Sequence, residues 1–115
     1  MGWRDRFGLR RARKKGKARF DRAAEDSDIR TLIDFAKSRT GVEFFVEPET
    51  FATSTTAVAV AHDGEWTRRR VGSPDVIRKV ARDLAAPVYD VQIVGYPQRM
   101  RAWTERNKRG LSLDD

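Results

Sequence analysis

The chain predicts a two-layer α/β (α+β) domain in the order α-β-β-β-α-β-α, with a mixed four-stranded sheet, helices mainly on one face, and a basic arm in front. Three observations predict it. From Ala57 to Val94 the residues spell strand, turn, strand, helix and strand in direct succession. Ahead of that stretch, a helical apolar period is followed by an alternating strand period. The net positive charge lies in the first 22 residues, which leaves a nearly neutral remainder to build one core.

At 115 residues with 39% hydrophobic content, the chain holds one modest core plus a tail. The expected division is a basic flexible arm over 1–26, a small α/β domain over 27–110 and an acidic C-terminal tail over 111–115. The absence of cysteine excludes a disulfide framework, thiol catalysis and a cysteine zinc site. No run of about 18 apolar residues exists to span a bilayer, and the start lacks the apolar stretch of a secretory signal. The expectation is a soluble cytoplasmic protein.

Met1–Arg22 carries ten Lys or Arg against Asp5 and Asp21, a net of +8, whereas Ala23–Asp115 carries fourteen against fifteen, a net of −1. Such a block repels itself and has little apolar surface to bury, so the arm is expected to lack fixed structure when free. Its partner should be anionic. Phosphate backbones attract a cationic arm without regard to sequence, and Arg10, Arg11, Arg13, Lys14, Lys15, Lys17 and Arg19 are the candidate contacts. Nucleic acid is therefore the expected partner, RNA before DNA. An anionic membrane surface or an acidic protein is the alternative, with Trp3, Phe7 and Leu9 as interfacial anchors. The blander reading is a solubilising tail. The Met-Gly start does not complete a myristoylation signal, because Arg6 stands where Ser or Thr is needed.

The first helix is expected from an N-cap at Ser27 to about Arg39. Ile29, Leu32, Ile33 and Ala36 share one face, Phe35 widens it, and Gly41 ends it. In the next strand Val42, Phe44 and Val46 point one way, and Glu43, Phe45 and Glu47 the other, until Pro48. The loop from Glu49 to Thr56 is rich in hydroxyls, whose commonest use is to satisfy local backbone groups rather than to hold phosphate.

Ala57 to Ala61 forms the second strand and Glu65 to Val71 the third, joined by a hairpin whose central Asp63-Gly64 pair predicts a two-residue turn with positive φ at both positions. Ser73, Pro74 and Asp75 suit the N-cap, first helical position and first turn of the second helix. Val76, Ile77, Val80, Ala81 and Leu84 form its buried stripe. Val88 to Val94 is expected as the last strand, with Tyr89, Val91 and Ile93 on its apolar face. Gly95-Tyr96-Pro97 opens a closing helix that Gly110 should terminate.

The segments VEPET, HDGEWTRRRVGSP and PVYDVQIVGYPQRMR resemble a family of short uncharacterised bacterial proteins, over roughly Gly41 to Arg109, some of which carry the bare label oxidoreductase. That label implies a nicotinamide or flavin site. None of the eight glycines forms the GxGxxG turn between a strand and a helix, so no cofactor is assigned.

The element order is also that of the restriction-like nucleases, where an acidic residue and an acidic-x-Lys triplet hold a metal ion. The nearest candidates are Asp63 and Glu65-Trp66-Thr67, with Thr67 in the lysine position. Turn chemistry explains Asp63 and Glu65 without a metal. His62, the single histidine, has no second ligand for zinc and no nucleophile motif to activate. No catalytic or metal-binding residue is assigned. Period-two alternation places Trp66, Arg68 and Arg70 on one face of the third strand, where an aromatic beside arginines can stack bases and hold phosphates. The competing use of Trp66 is core filling, with the arginine stems lying over apolar surface.

Overall fold

The computed structural model describes residues 18–114, with side chains from 25 to 108. Eight elements follow in order: α1 (Ala18–Ser38), β1 (Glu43–Glu47), β2 (Thr55–Val60), β3 (Trp66–Gly72), α2 (Pro74–Asp83), β4 (Val88–Asp90), α3 (Val91–Val94) and α4 (Gln98–Asp114). The strands form one mixed sheet in the order β3-β2-β1-β4, antiparallel except for the parallel β1–β4 pair. The sequence order of major elements is the one expected, with α3 added.

The alternation in β1 distributes the core over the two faces of this sheet. Phe44 and Val46 join Ala57, Ala59 and Val71 on the first face, under Ile29, Leu32 and Phe35 of α1 and Val76, Ile77, Val80 and Ala81 of α2. Phe45 joins Val58 and Val60 on the second, under Met100 of α4. Two long helices thus share one face and the closing helix covers part of the other. Fully burying an aromatic or branched aliphatic side chain contributes about 1.5–3 kcal/mol, so the first face carries most of the stability.

The boundaries differ from expectation at four places. α1 begins at Ala18, not Ser27. Ser27 lies inside the helix, its carbonyl accepting the Thr31 hydroxyl at 3.0 Å, and Glu25 ahead of it is already buried. The residues before Ser27 include good helix formers, and N-cap preference by itself does not override them. The last strand stops at Asp90. The carboxylate of Asp90 accepts the backbone N–H of Gln92 at 2.8 Å, capping α3 in place of a continued ladder, and Ile93 is left 82% exposed rather than on an apolar sheet face. α4 runs through Gly110 to Asp114.

The fourth difference is the hairpin. The Ala61 N–H donates to the Glu65 carbonyl at 2.8 Å and the Gly64 N–H to the Ala61 carbonyl at 3.0 Å, which closes a three-residue loop. Gly64 has φ +98°, whereas Asp63 does not take positive φ. This is the type I turn with a glycine bulge, the next most common hairpin closure after the two-residue turns. It spares Asp63 a left-handed conformation and leaves its carboxylate to accept the Glu65 N–H at 3.0 Å.

Candidate functional site

The second sheet face brings Trp66 and Arg68 together. Trp66 packs against the Phe45, Val58, Val60 and Met100 cluster, and its indole Nε1–H donates to the Thr104 hydroxyl of α4 at 2.8 Å. Thr104 in turn donates to the Met100 carbonyl at 3.1 Å. The Arg68 guanidinium lies 5.3 Å from the Trp66 ring centroid, within cation–π range.

Arg70 shares this register but not the contact. Trp66, Arg68 and Arg70 stand opposite Val60, Val58 and Thr56, and the extra residue of β3, Val71, falls between Arg70 and Gly72. The Arg70 guanidinium instead meets Asp28 of α1 at 3.3 Å. Of the other candidate contacts, Arg10, Arg11, Arg13, Lys14, Lys15 and Lys17 lie outside the described residues, and Arg19 falls in the backbone of α1.

The residue that organises the second face is Glu47. Its Oε1 accepts the Thr56 hydroxyl and Arg68 Nε, both at 2.7 Å. Its Oε2 accepts the second arm of the Arg68 fork at 2.9 Å and the Tyr96 hydroxyl. Burial pushes this carboxyl up, but the donors Arg68, Tyr96 and Thr56 outweigh it and hold the pKa below the ordinary value. Burial and the Glu47 bond push the Tyr96 phenol up. The Glu47 bond also raises Arg68. Two carboxylate oxygens offer about four acceptor positions, and four donors fill them, which suits a fixed structural anion rather than a proton carrier.

Four residues earlier on the same face, Glu43 is held by Arg99 at 2.7 Å and by the Tyr89 hydroxyl at 3.3 Å. Alternation in β1 places both glutamates beside Phe45, and that signal is in the sequence. Their partners, 46 to 56 residues away in the case of Glu43, carry no local signal.

At the hairpin, Glu65 receives both arms of the Arg39 fork, at 3.1 and 2.8 Å. That bond raises the Arg39 pKa, and the same guanidinium lies 4.2 Å from the Phe35 ring centroid. Asp63 makes the turn and Glu65 an ion pair, so the two carboxylates singled out as nuclease candidates have identified structural work. Among the described residues no group of three or more His, Cys, Asp or Glu is placed to hold a metal ion. In the hydroxyl loop, the Thr50 side chain accepts the N–H groups of Ala52 and Thr53 at 3.2 and 3.0 Å, the local use expected of it.

Arg30, Lys37, Arg69, Arg82, Arg101 and Lys108 have no carboxylate within ion-pair distance among the described residues. No helix among the described residues is long and apolar enough to cross a membrane. No family model matches the chain, and no curated protein or solved structure matches it.

Proposed function

We propose that this protein is a small polyanion-binding module that engages nucleic acid, RNA before DNA, through its N-terminal arm. The observation that carries the reading is the charge split: a net of +8 over Met1–Arg22 precedes a remainder of net −1. The arginine placement in the domain supports the same division of labour. Arg68 is committed to Glu47 and Arg70 to Asp28, so phosphate contacts fall to Arg10, Arg11, Arg13, Lys14, Lys15, Lys17 and Arg19. Trp66, with one edge bonded to Thr104, adds at most a single stacking surface. The reading includes no cofactor and places the protein in the cytoplasm.

The test is a salt series of gel shifts on mixed RNA and duplex DNA. The logarithm of the binding constant should fall linearly with the logarithm of salt, with a slope of about 0.9 per phosphate contact on duplex and about 0.7 on a single strand. Changing the six cations from Arg10 to Lys17 to Gln in the full-length chain should flatten that slope. Binding to anionic vesicles without binding to either nucleic acid at low salt would instead establish the membrane-surface reading, with Trp3 and Phe7 as the anchors.

A further inference from the structure

We infer that Phe51 is a stacking platform for one unpaired base of a single-stranded nucleic acid whose phosphates the arm neutralises. The inference rests on the nucleic-acid reading above and adds to it a residue and a preference for single strands. Phe51 is the most exposed large hydrophobic side chain among the described residues, ahead of Ile93, Val94 and Tyr89. Every residue from Pro48 to Ser54 is exposed as well, so the ring is not packed on the domain.

The tip is held in shape without using that ring. The Thr50 N–H donates to the Thr53 carbonyl at 2.8 Å, and the Thr50 hydroxyl oxygen accepts the N–H groups of Ala52 and Thr53. The two threonine hydroxyls meet at 2.7 Å. A ring presented on a bonded turn loses less freedom on binding than one on a slack loop.

The arm joins the domain at the same end. Arg39 pairs with Glu65 just before β3, and Asp28 pairs with Arg70 near its close, so α1 runs antiparallel to β3. Residues 18–27 of α1 therefore continue past Asp28 towards and beyond the Gly72 end of the sheet, at 1.5 Å per residue. In the register of the sheet Gly72 pairs with Thr55, and Thr56 with Glu47, so the loop that carries Phe51 leaves from that end too. Residues 1–17 enter α1 there, and a chain of that length spans roughly 55 Å when extended. One nucleic-acid strand is thus within reach of both.

The tip favours a base over other occupants. Glu49, two residues ahead, is exposed and has no ion-pair partner among the described residues. Burying that carboxylate in a bilayer interface or against a second copy costs desolvation. A base stacked on the ring leaves it in water. The carboxylate turns phosphate away from the tip, which leaves the backbone to the arm and the face of a base to Phe51. Aromatic side chains stack unpaired bases regardless of sequence, because every base has a π-face, whereas the inner bases of a duplex are already stacked.

The probe is a labelled twelve-nucleotide single-stranded RNA of mixed sequence, with the matching duplex as control, titrated into full-length protein across a salt series. Phe51→Ala should bind the single strand about tenfold more weakly, with the duplex affinity, the salt slope and the thermal midpoint unchanged. Phe51→Trp should restore single-strand binding and Phe51→Leu should not, and amide shifts on adding the single strand should include residues 50–53. Unchanged single-strand binding by Phe51→Ala, an equal loss on the duplex, or full rescue by Phe51→Leu would overturn the inference. In those cases a linear salt dependence that needs the arm would leave the nucleic-acid reading standing. Absence of binding to either RNA at low salt would overturn both, and loss of anionic-vesicle binding in Phe51→Ala with RNA binding intact would assign the tip to a membrane surface instead.

Discussion

A β-carbon on Gly64 would stand 2.0 Å from the carbonyl oxygen of Arg99, inside any possible van der Waals contact. The hairpin backbone and the first turn of α4 meet there with no side chain between them. Around that contact the Arg99 guanidinium donates to the Ala61 carbonyl at 2.9 Å, and Arg106 donates to the Asp63 carbonyl at 3.2 Å. The tight loop is therefore both a turn and the seat of the closing helix.

Gly64→Ala should consequently cost more than its φ of +98° alone would impose. Left-handed strain accounts for about 1–3 kcal/mol, and displacement of α4 adds to it. Urea unfolding should report the loss, and indole fluorescence should change because Trp66 is bonded to Thr104 on the displaced helix. His62→Ala, in the same loop but exposed, should stay within about 0.5 kcal/mol of wild type. An Ala variant at Gly64 as stable as the parent would show that α4 is not seated there.

Ala85→Gly should stabilise the fold by about 0.5–1 kcal/mol. Ala85 has φ +54°, the position after the α2 C-cap where glycine is favoured. The Ala86 N–H reaches the Ala81 carbonyl at 2.8 Å and the Ala85 N–H the Arg82 carbonyl at 3.1 Å, a complete Schellman closure. Relief of the left-handed strain exceeds the extra entropy that glycine gives the unfolded chain. A rise in thermal midpoint is the expected readout.

Glu47→Gln should destabilise by about 1.5–3 kcal/mol at neutral pH, the range for hydrogen bonds to a charged group. The folded pKa of Glu47 is depressed, so its contribution is fully present above the unfolded carboxyl value and is lost as pH falls through the folded one. The stability gap between wild type and variant should therefore be widest near neutrality and narrow in acid. A gap that stays constant across that window would contradict the role assigned to the carboxylate.

Trp66→Phe and Thr104→Val should each cost about 0.5–1.5 kcal/mol, the net value of one buried hydrogen bond. The double variant should lose less than the two singles combined, because both remove the same 2.8 Å contact. Strict additivity in a double-mutant cycle would mean that the indole bond contributes nothing.

Much of this architecture was legible because it rests on chain geometry within a few residues. The alternation Val42, Phe44, Val46 against Glu43, Phe45, Glu47 reads directly as two sheet faces, and the structure divides its two apolar clusters along it. Ser73-Pro74-Asp75 starts α2 where expected, although the Ser73 side chain makes no capping bond. The Val88–Val94 pattern misled because period two is also met by a short strand that turns. Asp90 had a backbone N–H within reach and capped a helix with it.

What the sequence determined by itself is the local alphabet: which segments are helical or extended, which of their faces are apolar, and where the cationic charge is concentrated. The tertiary structure alone decided the partners. Glu47 meets Arg68 and Tyr96 across 21 and 49 residues of chain, and Gly64 meets Arg99. The choice of Arg68 over its two arginine neighbours follows from the β1–β2–β3 register, while Arg70 meets Asp28 of α1. Capping and periodicity are fixed by bonds between near neighbours. Register and helix docking depend on how distant surfaces fit once the core has closed, and no short stretch of sequence encodes that fit.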